Sequence, residues 1–281
     1  MSEKIGVGIS TVGRAANLKR LIESLDSCEI DFLHVSEDSL VDRRVFGKGP
    51  YTKTDDIISK SRHKWFGSPS STNLGVGKTK NRSLKYLLEK DCDHIFLIED
   101  DIYIKDPTVF EKYIQASKAT GIQHFNFSQH GMMNKQWPQG NPDPKLHIEY
   151  ASSKITLPFY QHCVGAFSYY SRACLEEVGL MDEEYYNACE HLDHTYQIIK
   201  AGMHPPFWYF ADIEDSWKYL GDEEWSLTQS TISSNPKHRE IVDNADVVFY
   251  RKHGHLPGFT PLTDENVLVE SLKEIKKNYK S

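Results

Sequence analysis

The chain opens on a short apolar run, IGVGIS (5–10), that stops at Thr11. Leu18, Leu21, Ile22 and Leu25 then recur at three- and four-residue spacing, which predicts an amphipathic helix up to Asp26. IDFLHVS (30–36) predicts a second strand, halting at Glu37, Asp38 and Ser39. Leu84, Leu87 and Leu88 mark a helix that begins near Thr79. HIFLI (94–98) predicts a third, fully buried strand, and it runs straight into Glu99, Asp100 and Asp101. Strands alternating with helices imply crossover units, and therefore an α/β fold with a mostly parallel sheet. Ligands of such sheets gather at the carboxyl ends of the strands. All three strands end in polar residues there: Thr11 with Arg14, Glu37 with Asp38, and the acidic triplet.

The second half is less regular. HGMMNKQWPQGNPDPK (130–145), rich in Gly, Pro and Asn with a single Trp, is expected to be a mobile loop. HLDHTYQIIKAG predicts a helix near 190–201, and 264–279 reads as an amphipathic, Lys-rich helix. No internal repeat or low-complexity linker interrupts the chain. The pattern suggests one domain whose two halves, 1–128 and 129–262, share a sheet, followed by a C-terminal helical segment, 263–281.

Length and composition narrow the class. With 281 residues, 39% hydrophobic and 26% charged, the chain has the makings of an ordinary globular core. A net charge of −7 argues against general polyanion binding. Residues 42–64 nevertheless hold seven Lys/Arg against three Asp. A solvated loop is the preferred reading of that stretch, and a local phosphate contact is the sharper one. Five cysteines without C-x-x-C spacing support neither a disulfide framework nor a zinc knuckle, which points to a reducing compartment. The N-terminus lacks a signal peptide's long apolar region, and no run reaches the length of a membrane span. A cytoplasmic enzyme is the expectation.

Two stretches carry candidate chemistry. NLGVGKTKNRS (73–83) has the look of a phosphate-binding P-loop, but that loop needs a glycine five places before Gly77, and Thr72 stands there. The preceding HKWFGSPSST is not read as a buried strand that could feed such a loop. The acidic triplet is different. Three carboxylates at a strand end repel one another unless a cation joins them, and oxygen ligands suit Mg²⁺ or Mn²⁺. The competing reading is a solvated strand end whose acids cap the next segment.

Three segments together resemble the glycosyltransferases of the GT-A fold, especially the inverting family 2. NLGVGKTKNRSLKYLL is similar to their N-x-G-x-x-x-x-x-N segment, and IFLIEDDI to their DXD strand in an E-D-D form. GAFSYYSRACLEEVGLMDEEYYNACEHLDHTYQIIKAG is similar to their acceptor-side block. The resemblance covers roughly 4–104 and 162–203. It implies that Thr11 and Arg14 touch the base or diphosphate, and that Asp38, Asn73, Lys78, Asn81 and Asp100 hold the base and ribose. It further implies that Asp101, with Glu99, ligates a Mn²⁺ or Mg²⁺ ion bridging the phosphates. A late histidine often completes such a metal site; His253 is favoured over His255, with Asp212 and Asp215 as alternatives.

The acceptor block departs from the family pattern: Glu-Asp-x-Asp is here Glu190, His191, Leu192, Asp193. An inverting transfer needs a base near the acceptor hydroxyl. Glu190 or His191 could serve, Glu190 being favoured, with Asp193 orienting whichever acts; a retaining transfer would need no base here. An N-terminal helix cap is the competing reading of these residues. Trp208, Tyr209, Trp217, Tyr219 and Trp225 suggest packing, with one or two left for an acceptor platform, and Trp137 could fold over the donor.

The expected activity is metal-dependent transfer from a nucleotide-sugar, most simply a UDP-sugar, to a saccharide hydroxyl. A hydroxymethylated base in DNA is an alternative acceptor, making nucleic acid a possible partner. A non-catalytic relative that only holds a nucleotide-sugar or glycan is the alternative from another class. A nucleotidyltransferase fits poorly, because GISTVGRAANLKR lacks the Gly-rich basic signature.

Overall fold

The computed structural model describes residues 3–38, 52–70, 72–137, 139–150, 152–222 and 235–279. Residues 42–51 of the basic stretch, and Trp225, lie outside the described residues.

Strand β1 (Ile5–Thr11) lies between β2 (Phe32–Glu37) and β4 (His94–Glu99), and β3 (Trp65–Pro69) pairs beyond β2, all four parallel. β9 (Phe167–Ser171) then pairs antiparallel with β4, and β6 (His124–Asn126) antiparallel with β9. The order is β3-β2-β1-β4-β9-β6. Two reversals cancel, so β6 runs in the sense of β4. One edge of the sheet therefore collects the ends of β1, β2, β4 and β6 and the beginning of β9.

The three expected strands are there, because buried parallel strands read as unbroken apolar runs; Val7, Ile9 and Ile95 to Ile98 are at most 1% exposed. The WFGSP segment is not a buried strand, as the sequence reading has it. It is a strand, but an edge strand with half-buried and exposed positions, so no apolar run announced it.

Helix α1 (Ala15–Leu25) buries Leu18, Leu21, Ile22 and Leu25 as the spacing requires. After α2 (Thr52–Ile58), helix α3 (Val76–Glu89) begins three residues before Thr79, with Gly75 at its N-cap. Next come β5 (Ile102–Ile104), α4 (Val109–Thr120), and an antiparallel sheet of β7 (Leu146–Tyr150), β8 (Ile155–Tyr160) and β10 (Phe210–Ala211). Helices α5 (Arg172–Val178) and α6 (Glu190–Lys200) lie between β9 and β10. A short α7 (Ser216–Tyr219) leads into β11 (Leu220–Asp222), which pairs with β5. The chain finishes with α8 (His238–His253) and α9 (Glu265–Asn278). Among the described residues, no helix is long and apolar enough to cross a membrane.

One core joins both halves: Val7, Ile9 and Phe96 of the large sheet cluster with Leu157 and Phe159 of β8 and with Leu268 and Leu272 of α9. Asp212, fully buried just after β10, ties the two sheets. It accepts hydrogen bonds from Tyr113 Oη (2.6 Å), Ser216 Oγ (2.7 Å), Ile213 N (2.8 Å) and Ser128 N (2.9 Å). The 130–145 loop is anchored at its base: Asn134 Nδ2 donates to Ser128 O at 2.7 Å and His162 O at 2.9 Å. Its Trp137 is 83% exposed.

Candidate active site

A pocket of about 190 Å³ opens at the carboxyl edge of the large sheet, lined by Thr11, Arg14, Asp38, Asn73, Glu99 and Tyr186 among others. Asp100 and Asp101 occupy the turn where β4 passes into β5. Thr11, the last residue of β1, donates from Oγ1 to Asp100 Oδ2 at 2.6 Å. Arg14, just ahead of α1, pairs with Asp100 and lies 3.3 Å from Asp101 Oδ2. Burial outweighs the Arg14 charge and the Thr11 hydroxyl, and pushes Asp100 up to about 7. Asp101 Oδ1 is buried without a hydrogen-bond partner.

The second wall is the 73–76 segment. Asp38 Oδ1 accepts from Leu74 N (2.8 Å) and Oδ2 from Gly75 N (3.0 Å), so the end of β2 holds this loop in place. Asn73 Oδ1 accepts from Tyr186 Oη at 2.7 Å. Gly75 takes a φ of 85°, and a side chain there would meet the Tyr186 ring at 2.8 Å. The glycine in NLGVGKT thus admits Tyr186 to the pocket wall. The backbone N–H groups of Leu74, Gly75 and Val76 are already spent on Asp38 and Asn187.

Behind the pocket runs a buried chain of charge. Lys80 Nζ, 1% exposed, lies 2.7 Å from Glu99 Oε1 and 3.4 Å from Glu190 Oε1, and donates to Gly165 O at 3.0 Å. His191 Nδ1 lies 3.2 Å from the same Glu190 oxygen. The His191 ring packs where any side chain on Gly165 would stand, 2.6 Å away. Burial favours the neutral forms of Glu99 and Glu190, but the Lys80 charge overrides it and holds both below the usual carboxylate range. His191 keeps a quarter of its side chain exposed, against 5% for Glu190.

Several expected site residues are placed elsewhere. Asn81 is buried against the Met181 backbone, donating to its O at 2.8 Å and accepting from its N at 3.0 Å; it ties α3 to the 181–183 segment. Lys78 is half-buried on α3 and is not among the residues lining the pocket. Asp193 does not orient Glu190 or His191. It accepts from Lys252 Nζ (2.6 Å), His253 Nε2 (2.7 Å) and Tyr185 Oη (3.1 Å), clasping α6 to α8. His253 is therefore committed to Asp193, as the last residue of helix α8. Asp212 is spent on its four donors, and Asp215 pairs with Lys218. Trp208 Nε1 donates to Thr260 O and Tyr209 Oη to Thr263 O, so both belong to packing. Trp137 rises from a loop that borders a second pocket, through Lys135 and Asn141.

Among the described residues no three His, Cys, Asp or Glu side chains form a metal cage. Glu99 is taken by Lys80 and His253 by Asp193, so neither joins Asp101. A magnesium-like ion, however, is commonly held by one or two carboxylates, with substrate phosphates and water completing the shell. The partnerless Asp101 Oδ1 beside Asp100 fits that demand.

Sequence reasoning overlooked Lys80, Tyr186 and Asn187, whose Oδ1 accepts from Val76 N at the start of α3 (2.9 Å). For Lys80 a signal existed: it shares a helical face with Leu84 and Leu87, and a lysine on an apolar face needs a buried acid.

No family model matches the chain. An uncharacterized glycosyltransferase of Acanthamoeba polyphaga mimivirus is 27% identical over 161 residues, covering 57% of this chain and 58% of that protein. The S. aureus TarS structure in complex with UDP-GlcNAc, residues 1–349, superposes with a TM-score of 0.51 at 15% identity, covering 97% of this chain and 71% of that one. The mannosyltransferase PcManGT from Pyrobaculum calidifontis, in complex with GDP-Man and Mn²⁺, gives 0.54 at 8% identity, over 98% and 74%. This chain spans just over half the length of the viral relative and 42% of the longer TarS structure.

Proposed function

We propose that this chain, which carries the fold of the GT-A-like glycosyltransferases, moves a sugar from a nucleotide-activated donor, a UDP-sugar, to a hydroxyl of a saccharide acceptor. The observation that carries the reading is the Thr11–Asp100–Arg14–Asp101 cluster, of which Thr11 and Arg14 line the pocket. Arg14 is the fixed cation for a diphosphate there, and Thr11 keeps Asp100 facing it. Asp101 and Asp100 would hold a divalent cation, Mn²⁺ or Mg²⁺, which when bound supplies neutralising charge to the leaving diphosphate. Asp38 positions the 73–76 loop, and Asn73 and Tyr186 form the wall for base and ribose. The UDP-GlcNAc and GDP-Man bound by the structural neighbours support this donor class. On this reading residues 1–128 supply most of the donor site, with Tyr186 added from the second half, and 129–262 supply most of the acceptor site.

His191 is the base in this scheme, and Glu190 orients it. A buried carboxylate held low by Lys80 is a weak proton acceptor. An imidazole donating from Nδ1 to that carboxylate leaves Nε2 open to take the acceptor's proton.

A thermal-shift series with UDP-, GDP- and dTDP-sugars tests the donor. At a hundred times Kd the ligand adds ~2.7 kcal/mol, a rise of roughly 5–10 °C. The rise is expected with a UDP-sugar plus Mn²⁺. It should also grow between pH 6 and 8, because Asp100, titrating at about 7, attracts a cation only once its proton has left. A shift that is indifferent to metal and pH contradicts the scheme. Asp101→Asn should keep the melting temperature of the free protein and lower turnover by about 10²–10³-fold. Undiminished transfer by this variant would refute the role given to Asp101.

A further inference from the structure

A second pocket, of about 330 Å³, lies along the same sheet edge, lined by Lys105, Gln129, Lys135, Asn141, Trp217 and Asp222 among others. That volume is within the ~300–1,000 Å³ range of small-ligand sites. Its position follows from the topology. β6 ends at Asn126 on the edge where β4 ends, and the next residues, Phe127 and Gln129, line this pocket. β5 leads directly from Asp101 to Lys105. Asp222, 3.6 Å from His130 Nδ1, accepts from Gly131 N at 3.0 Å.

We infer that this pocket is the acceptor subsite: a sugar ring stacks on the Trp217 indole, and an anionic substituent is held by Lys105 and Lys135. The inference rests on the glycosyltransferase reading and deepens it. Trp217 is 46% exposed; Lys218 Nζ lies over one face of its ring, 5.5 Å from the centroid, and Lys105 Nζ donates to its carbonyl oxygen at 3.0 Å, which fixes the backbone beneath the ring. Lys105 and Lys135 line the pocket against a single carboxylate, Asp222, which pairs with Lys135 at 3.9 Å, so the lining keeps one cation in excess. A flat apolar ring beside polar groups and surplus positive charge suits an acidic saccharide.

Tetragalacturonate and maltotetraose serve as acidic and neutral probes, with the indole N–H resonances of ¹⁵N-tryptophan-labelled protein as readout. Tetragalacturonate is expected to shift the Trp217 resonance, identified by its disappearance in Trp217→Ala. That variant should bind the probe about tenfold more weakly by calorimetry, and Trp217→Phe should recover part of the loss. Hydrolysis of a UDP-sugar to water, which needs no acceptor, should be unchanged in both variants. Equal binding of maltotetraose overturns the role of the lysines. Failure of tetragalacturonate to move the Trp217 signal, while wild-type hydrolysis proceeds, overturns the subsite. Absence of hydrolysis by the wild type itself would instead strike the donor assignment.

Discussion

Lys80→Met is expected to remove about 3–5 kcal/mol of stability, and to abolish transfer in the protein that still folds. Methionine replaces the aliphatic stem, so the loss isolates the ammonium. Without it, Glu99 and Glu190 face each other near Gly165 with no counter-charge, and Glu190 is 4% exposed. One or both would take up a proton instead, and Glu190 would cease to be the anion against His191. Against a typical total of ~5–15 kcal/mol the loss is a large share. Urea denaturation reads it directly. Adding Glu190→Gln to Lys80→Met should cost less than the two single changes summed, because the second change removes a charge the first had stranded. An unaltered urea midpoint for Lys80→Met would mean the buried ion pairs contribute nothing.

His191→Ala should lower turnover by about 10²–10⁴-fold and leave the donor-induced thermal shift intact. The ring lies against Gly165 and keeps one nitrogen on Glu190, an arrangement that orients a proton acceptor without requiring the carboxylate itself to be basic. Glu190→Gln should also lower turnover, because its amide can hold the imidazole in the wrong tautomer and no longer stabilises the imidazolium. The pH–rate profile separates the two roles: its base-dependent limb should vanish in His191→Ala and survive, displaced, in Glu190→Gln. Wild-type rates from His191→Ala with an unchanged profile would return the role of base to Glu190, the residue the sequence alone favours.

Much of the architecture was legible because its central strands are buried on both faces. Val7 to Ile9 and Ile95 to Ile98 carry no polar interruption, and their ends stand out for that reason. β3 was invisible, being an edge strand whose Phe66 is half exposed. α8 was hidden by the opposite defect: of its 16 residues only Ala245, Val248 and Phe249 are buried, too thin a stripe to show a period. The site divides in the same way. Thr11, Arg14, Asp100 and Asp101 come from strand ends, and strand ends converge by topology alone. Asn81 and Asp193 come from helices, where sequence spacing gives the face but not the neighbour. Their partners, Met181 and the Lys252–His253 pair, lie 100 and about 60 residues away. Lys80 illustrates the remedy, since a charge on an apolar helical face demands an explanation before any motif is matched.

The four hydrogen bonds to Asp212 have a consequence for how the molecule comes apart. Tyr113 reaches it from α4, Ser128 from the end of the large sheet, and Ser216 from the short helix after the small one. Neither sheet can open without stranding that carboxyl. The two sheets are thus bound into one cooperative unit, and amide protons on both sides are expected to exchange through the same rare global opening.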